Sequence, residues 1–439
     1  MPDNTAAAYP RPVYAWYVVV ILFLAYTSSF IDRQIMALLV EPIKRDLELN
    51  DTQFSLLHGF AFAIFYTFMG LPLGRLADRR NRKAMITIGI AIWSALTATC
   101  GLAKSFLQLF LARIGVGIGE AALSPAAYSM IADLFPKEKR GLPTGLYSMG
   151  VFFGGGVAFI LGGYVVELAA GAEDIVLPLV GSIRPWQLTF FIVGLPGLLI
   201  VALMTTIREP ERRDLGKATD SHSIRETLAY VGRHRRLYTS VVIGFALLAT
   251  GSYGFFTWAP SFLIRTYGWQ AGDAGYAFGL LVLTLGTTGT LVGGIWSDRL
   301  YGKGRLDANM RVGLYAGLGI LVFGSAAPLM PSASAALAVL APTVFFLGFS
   351  VSLAPAAASF VSPNELRGQA VALYLFATNL IGLGIGPTLV ALMTDYVFGD
   401  PAALRYSLAV FAIGISVLAI VILLWGLAPY RKRAEEMQR

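Results

Sequence analysis

Twelve stretches of mostly apolar residues recur along this chain, each about as long as a membrane-crossing helix, with short polar segments between them. A hydrocarbon core takes roughly 20 helical residues to cross, and in lipid each segment must satisfy its own backbone hydrogen bonds. The spans are predicted at 14–40, 52–76, 84–103, 105–132, 141–168, 187–207, 238–264, 273–297, 311–330, 334–361, 368–394 and 404–429. Of the 439 residues, 56% are hydrophobic and 14% charged, whereas a soluble domain carries about 25% charged residues. A water-soluble globule of this composition would expose large apolar patches and is excluded. The expected class is an all-α membrane protein.

Lysine and arginine set the sidedness. With the N-terminus inside, 26 of the 34 fall in segments on the inner side. The outer loops hold Lys44, Arg45, Lys104, Arg184, Arg265 and Arg405, while Arg33 and Arg113 lie within spans. This bias places both termini in the cytoplasm. The short loops and tails suggest a bacterial inner membrane. The net charge of +8 is therefore topological, and no nucleic-acid partner is expected. Arg233-His-Arg-Arg236 and Arg431-Lys-Arg433 are expected to face anionic lipid. The single cysteine, Cys100, excludes an intrachain disulfide and a CxxC metal site. No removable leader is expected. With no GxxxxGK[ST] motif, GxSxG elbow or metal-ligand spacing, neither an enzyme nor a cofactor is expected, and the energy must come from a gradient.

The longest polar stretch divides the chain into two six-span bundles, 1–207 and 238–439, joined by a cytoplasmic segment at 208–237. The halves repeat. Gly74-Arg-Leu-Ala-Asp78-Arg79 returns as Gly294-Ile-Trp-Ser-Asp298-Arg299, and Leu123-Ser-Pro-Ala-Ala127 as Leu353-Ala-Pro-Ala-Ala357. Lys139-Arg140-Gly141 and Leu146-Tyr147 recur as Leu366-Arg367-Gly368 and Leu373-Tyr374 in the same order. Paired six-helix repeats with a site at their interface describe a transporter whose halves rock about that site.

The run Gly74-Arg-Leu-Ala-Asp78-Arg79-Arg80-Asn81-Arg82-Lys83 resembles the loop motif of the major facilitator superfamily, with Asn81 where a glycine is usual. Together with Ile31-Asp32-Arg33 and Arg113-Ile-Gly-Val-Gly-Ile-Gly-Glu120, it resembles the Spinster branch. The resemblance implies the two-bundle major facilitator fold and transport of lysolipids or sphingoid phosphates. It also implies a gate at the inner end of span two, built on Asp78 and Arg82 with Asp133 as partner. Asp298 and Arg299 form its weaker copy.

Four charges sit inside spans: Asp32, Arg33, Arg113 and Glu120. Such groups are costly in lipid and mark function. At 1.5 Å per residue, Asp32 and Arg113 both lie roughly 12 Å below the outer surface, and Glu120 lies on nearly the same face as Arg113 and about 10 Å deeper. Asp32 and Arg113 are expected to pair. A carboxylate that gains and loses an arginine partner changes its proton affinity. Asp32 and Glu120 are therefore the expected proton-coupling pair, with Arg113 as the switching partner. Arg33 suits an anionic head group, because a guanidinium takes phosphate in bidentate fashion.

The second half has no comparably deep charge. Its interior candidates are Ser252, Tyr253, Thr257, Tyr374, Thr378 and Asn379. Tyr253, Tyr374 and Asn379 join Arg33, Arg113 and Glu120 as the expected substrate contacts. One charged and one largely apolar wall suit an amphiphile. His58 is expected to be a hydrogen-bonded structural histidine. The chain reads as a monomeric, proton-coupled transporter of a lipid-like or drug-like molecule within membrane lipids. The alternatives are a transporter of a small organic anion, or a scramblase or membrane receptor.

Overall fold

In the computed structural model, residues 9–136, 139–170, 175–177, 181–212, 224–363 and 366–438 are described, excepting a few side chains within them, Asp78 included. Among the described residues, eleven helices are long and apolar enough to cross a membrane. They run Pro12–Leu38, Arg82–Cys100, Phe106–Leu134, Gly141–Leu168, Pro185–Thr206, Arg235–Tyr267, Ala271–Gly302, Ala308–Leu329, Ala333–Phe360, Arg367–Phe398 and Pro401–Met437. The segment 51–79, second in order, makes the twelfth. It starts on an Asn50 capping box and passes through a π-turn at Leu56–Phe60 into the helix Ala61–Arg79. These are called spans one to twelve.

The limits match expectation to within a few residues, except for span twelve, which runs on to Met437. The extension is Arg431-Lys-Arg-Ala-Glu-Glu-Met, all good helix formers, and Arg433 pairs with Glu436 one turn on. The central segment also differs from a plain loop, since Ile224–Arg233 is helical. A two-stranded hairpin, Ile175–Leu177 with Gly181–Ile183, joins spans five and six.

Small residues set how the bundles meet. A Cβ at Gly275 of span eight would lie 2.6 Å from the Phe159 carbonyl and 3.1 Å from Gly163 Cα, both in span five. One at Gly156 would lie 2.7 Å from the Leu283 backbone nitrogen. Only glycine allows backbones this close. Span two meets span eleven similarly, at Gly59 and Leu383. All these contacts lie away from the ends that carry the basic loops. Toward those ends, a Cβ at Gly141, Gly145, Gly302 or Gly368 would meet nothing within 4 Å. These close contacts between the bundles therefore lie away from the basic end.

Candidate functional site

The site is built from the last turns of span one. Ser29 and Arg33 are four residues apart and share a face. Both reach Glu120 of span four: Arg33 Nε lies 2.6 Å from Oε2, and the Ser29 hydroxyl donates to the same oxygen. Asp32 is turned about 100° from Arg33 and does not share the Glu120 contact. Asp32, Arg113 and Glu120 are each 1% exposed and Arg33 is 7% exposed, so all four intramembrane charges are inside the protein and none faces lipid.

The expected pairing is thus corrected. Asp32 and Arg113 form no ion pair; Arg113 Nη1 instead approaches the main-chain carbonyl of Asp32 at 3.4 Å. Both carboxylate oxygens of Asp32 are buried without a hydrogen-bond partner, as are the Thr97 hydroxyl, Arg113 Nε and Glu120 Oε1. Arg33, expected as a free clamp, is held by Glu120. The helical period is the reason, because it aims neighbouring residues of span one at different spans.

Aromatic rings complete the enclosure, and sequence reasoning missed them. The Arg33 guanidinium lies 4.6 Å from the centroids of both Phe62 and Tyr66, and 4.9 Å from Phe30. Arg113 lies 5.4 Å from the same Phe62 ring. The ring quadrupole favours a cation in such a place, so Phe62 separates two like charges. Tyr147, whose ring stacks on Tyr26 at 4.6 Å, also meets Tyr128 edge-on. An aromatic every few residues on spans one, two, four and five was visible in the sequence, but reads equally as packing.

His58 differs from expectation. It is buried in the π-turn of span two and stacks on Phe54, and its Nδ1 has no hydrogen-bond partner. Cys100 is buried, as expected of a packing residue.

From the second half, Tyr253 comes within electrostatic range of Arg33 and packs on Gly382. Tyr374 and Thr378 are buried. Asn379 is half-buried in a π-helical stretch, Thr378–Ile385. Ser252 and Thr257 hydrogen-bond main-chain carbonyls of Leu347 and Tyr253, which makes them helix glue rather than ligands.

At the basic end, Arg82 is a buried hub. It pairs with Asp133 as expected, and also binds Glu209 Oε1 at 2.7 Å, Ser129 at 2.9 Å and the Pro210 carbonyl at 2.7 Å. The Asp78 side chain lies outside the described residues. Asp298 and Arg299 are exposed, so the expected copy of the Arg82 network is not centred there. The second half uses Asp307, missed in the sequence, which binds Arg311 at 2.8 Å and Arg431 at 2.6 Å. Burial alone would raise the Asp307 carboxyl, but these two guanidinium groups outweigh it and hold it below the usual carboxylate range.

At the far end a lock joins the halves. Arg265 of span seven takes Asp51 in a bidentate pair, at 2.6 and 2.8 Å, and Glu41 at 2.8 Å. Lys44 also holds Asp51. Asp395 of span eleven accepts from the Thr52 backbone and hydroxyl, both at 2.6 Å, at a helix N-terminus whose dipole favours it. Sequence reading took Arg265 only as an outer-loop charge. An isolated cation on the side that the positive-inside rule leaves poor was the available signal.

The Major Facilitator Superfamily model matches residues 21–387. An MFS-type efflux pump of Mycolicibacterium smegmatis is 28% identical over 436 residues, covering 99% of this chain and 97% of that protein. A probable galactarate/D-glucarate transporter of Bacillus subtilis is 27% identical, covering 84% of this chain and 83% of that one. Among solved structures, a bacterial homolog of the human lysosomal transporter Spinster, in an inward-facing and unoccupied conformation, superposes with a TM-score of 0.79. It is 27% identical and is covered over 98% of each chain.

Proposed function

The chain belongs to the Major Facilitator Superfamily as a multi-pass, Spinster-like membrane transporter and not an enzyme, and from that premise we propose that it moves an amphiphilic, lipid-like or drug-like substrate by proton-coupled alternating access. The observation that carries this reading is the asymmetry of buried charge between the halves. Asp32, Arg33, Arg113 and Glu120 are buried in the first half, and the second half brings Tyr253 within electrostatic range of Arg33 among mostly apolar side chains. A head group goes to the first and a tail to the second.

The coupling follows from the two buried carboxylates. Glu120 holds Arg33 while it is ionised. A proton taken by Glu120 frees the guanidinium for an anionic head group. Asp32 accepts no hydrogen bond in this state and is the second proton site, since a buried charge without hydrogen bonds is poorly tolerated. When the bundles tilt, Arg113 exchanges the Asp32 carbonyl for its carboxylate and the proton leaves. Tyr253, Tyr374 and Asn379 line the substrate path. Arg82 with Asp133 and Asp78 forms the inner gate, and the Arg265 lock forms the outer one. In this reading the basic end and both termini face the cytoplasm of a bacterial inner membrane, the bundles are 1–207 and 238–439, and the monomer is the working unit.

The likeness to a galactarate/D-glucarate transporter, with two buried arginines in the first half, favours a second reading: a small organic anion as substrate. Proteoliposomes carrying a pH-sensitive dye separate the two. Lysophospholipids or sphingoid phosphates should evoke proton movement that short sugar acids neither evoke nor block. The reverse pattern overturns the amphiphile reading. Concentrative, pH-gradient-dependent uptake excludes a scramblase.

A further inference from the structure

Where spans seven and twelve leave the apolar zone at the basic end, their extensions flank an open surface cavity of about 400 Å³. Arg233, Arg235, Arg236, Lys432 and Arg433 line it, with Glu436 as its one acid. Two of these cations are committed elsewhere. Arg433 donates to Glu436 at 2.9 Å and to the Tyr230 hydroxyl at 2.7 Å. Arg236 donates to the Trp425 carbonyl at 2.7 Å and lies 5.4 Å from that ring. Arg233, Arg235 and Lys432 make no hydrogen bond or ion pair among the described residues. Arg433 Nε is buried and likewise without a partner. The exposed cations outnumber the single acid Glu436 at one opening, and the positive potential they create attracts an anion.

The position narrows the anion. Trp425, half-exposed on the wall of span twelve, is the residue type that settles at the lipid–water boundary. The cavity therefore opens at headgroup depth. We infer that it is a binding site for the phosphate of an anionic phospholipid, with Arg233, Arg235 and Lys432 on the phosphate oxygens and the chains descending past Trp425. Every lining residue lies in the second bundle or in the helix that links the two. The site is thus separate from the proposed transport site and does not depend on what is transported.

Lipid counting by native mass spectrometry on the full detergent-purified chain tests this, with equal phosphatidylglycerol, phosphatidylethanolamine and phosphatidylcholine supplied. The wild type should retain phosphatidylglycerol about tenfold over phosphatidylcholine, and Arg235→Gln/Lys432→Gln should reduce that preference to about twofold. Arg305→Gln, an exposed cation elsewhere on the basic end, should keep it. Excess inorganic phosphate should displace the lipid, since it offers the same oxygens. As a second measure, phosphatidylglycerol should raise the unfolding temperature of the wild type and not of the double variant. An unchanged preference in the double variant, or an equal loss in Arg305→Gln, overturns the site. Stabilisation by inorganic phosphate with no preference among the lipids overturns the lipid assignment.

Discussion

The two halves share a backbone plan and place charge in opposite ways. At the basic end of the first half the buried hub is a cation, Arg82, held by Asp133 and Glu209. In the second half it is an anion, Asp307, held by Arg311 and Arg431. Within the membrane the contrast is larger, because the first half buries Asp32, Arg33, Arg113 and Glu120 while no span of the second half carries a charge at comparable depth. Even the helices differ: span eleven contains π-helical stretches at Thr378–Ile385 and Met393–Phe398, whereas its counterpart, span five, is one α-helix over Gly141–Ala170. A repeat thus preserves packing more faithfully than chemistry. Helix contacts need only small residues at the right positions. A buried charge needs a specific partner, and one bundle can supply all of them.

Breaking the first half at its ion pair should have the largest effect. Arg33→Gln leaves Glu120 buried without its counter-charge and should cost about 3–5 kcal/mol of stability. Adding Glu120→Gln should recover most of that loss. Chemical unfolding in detergent measures both, and an unstable double variant with a stable single one would refute the pairing.

Next in size is coupling. Glu120→Gln alone should lower pH-gradient-driven accumulation by roughly 5–150-fold, the usual range of a coupling free energy, while facilitated movement down a substrate gradient persists. Flux assays in liposomes with and without a pH step separate the two. The corresponding polar changes in the second half, Tyr253→Phe and Tyr374→Phe, should change KM a few-fold and leave coupling intact.

The third effect concerns the lock that joins the halves. Arg265→Gln removes the bidentate hold on Asp51 and should shift the population toward opening at the far end. A cysteine placed at Gly145, in open space toward the basic end, should then react about tenfold more slowly with a polar maleimide, a shift of about 1.4 kcal/mol. Cys100 is buried and stays silent. Unchanged labelling would remove the lock from the gating scheme.

The smallest effect sharpens the contrast between the hubs. Asp307 has a folded value held below its unfolded one, so its contribution is complete above the unfolded value, about 3.9. It fades as pH falls through the folded value. Asp307→Asn should therefore flatten the loss of stability below about pH 4, as followed by thermal unfolding across an acid series. An equally steep loss in the variant would count against the assignment.

Much of this was legible beforehand. Apolar length placed every span within a few residues except the end of span twelve, because the bilayer demands a fixed helix length whatever the neighbours. The same rule flagged the four interior charges, and the repeated Asp78 and Asp298 motif pointed to the basic end. Their partners were not legible. Asp32 and Arg113 agree in depth but not in direction, and depth was all that a count along one helix provides. Asp307 looked like an ordinary loop acid until span twelve brought Arg431 back to it from 124 positions away.

What the chain determined alone is its count of crossings, its duplicated plan and the residues too charged to face lipid, since each depends on local chemistry against a uniform solvent. Which carboxylate meets which guanidinium, which rings lie between them and where the bundles touch were settled only by folding. Those outcomes depend on the relative rotation of helices far apart in the chain, and a turn of one residue, about 100°, is enough to exchange one partner for another.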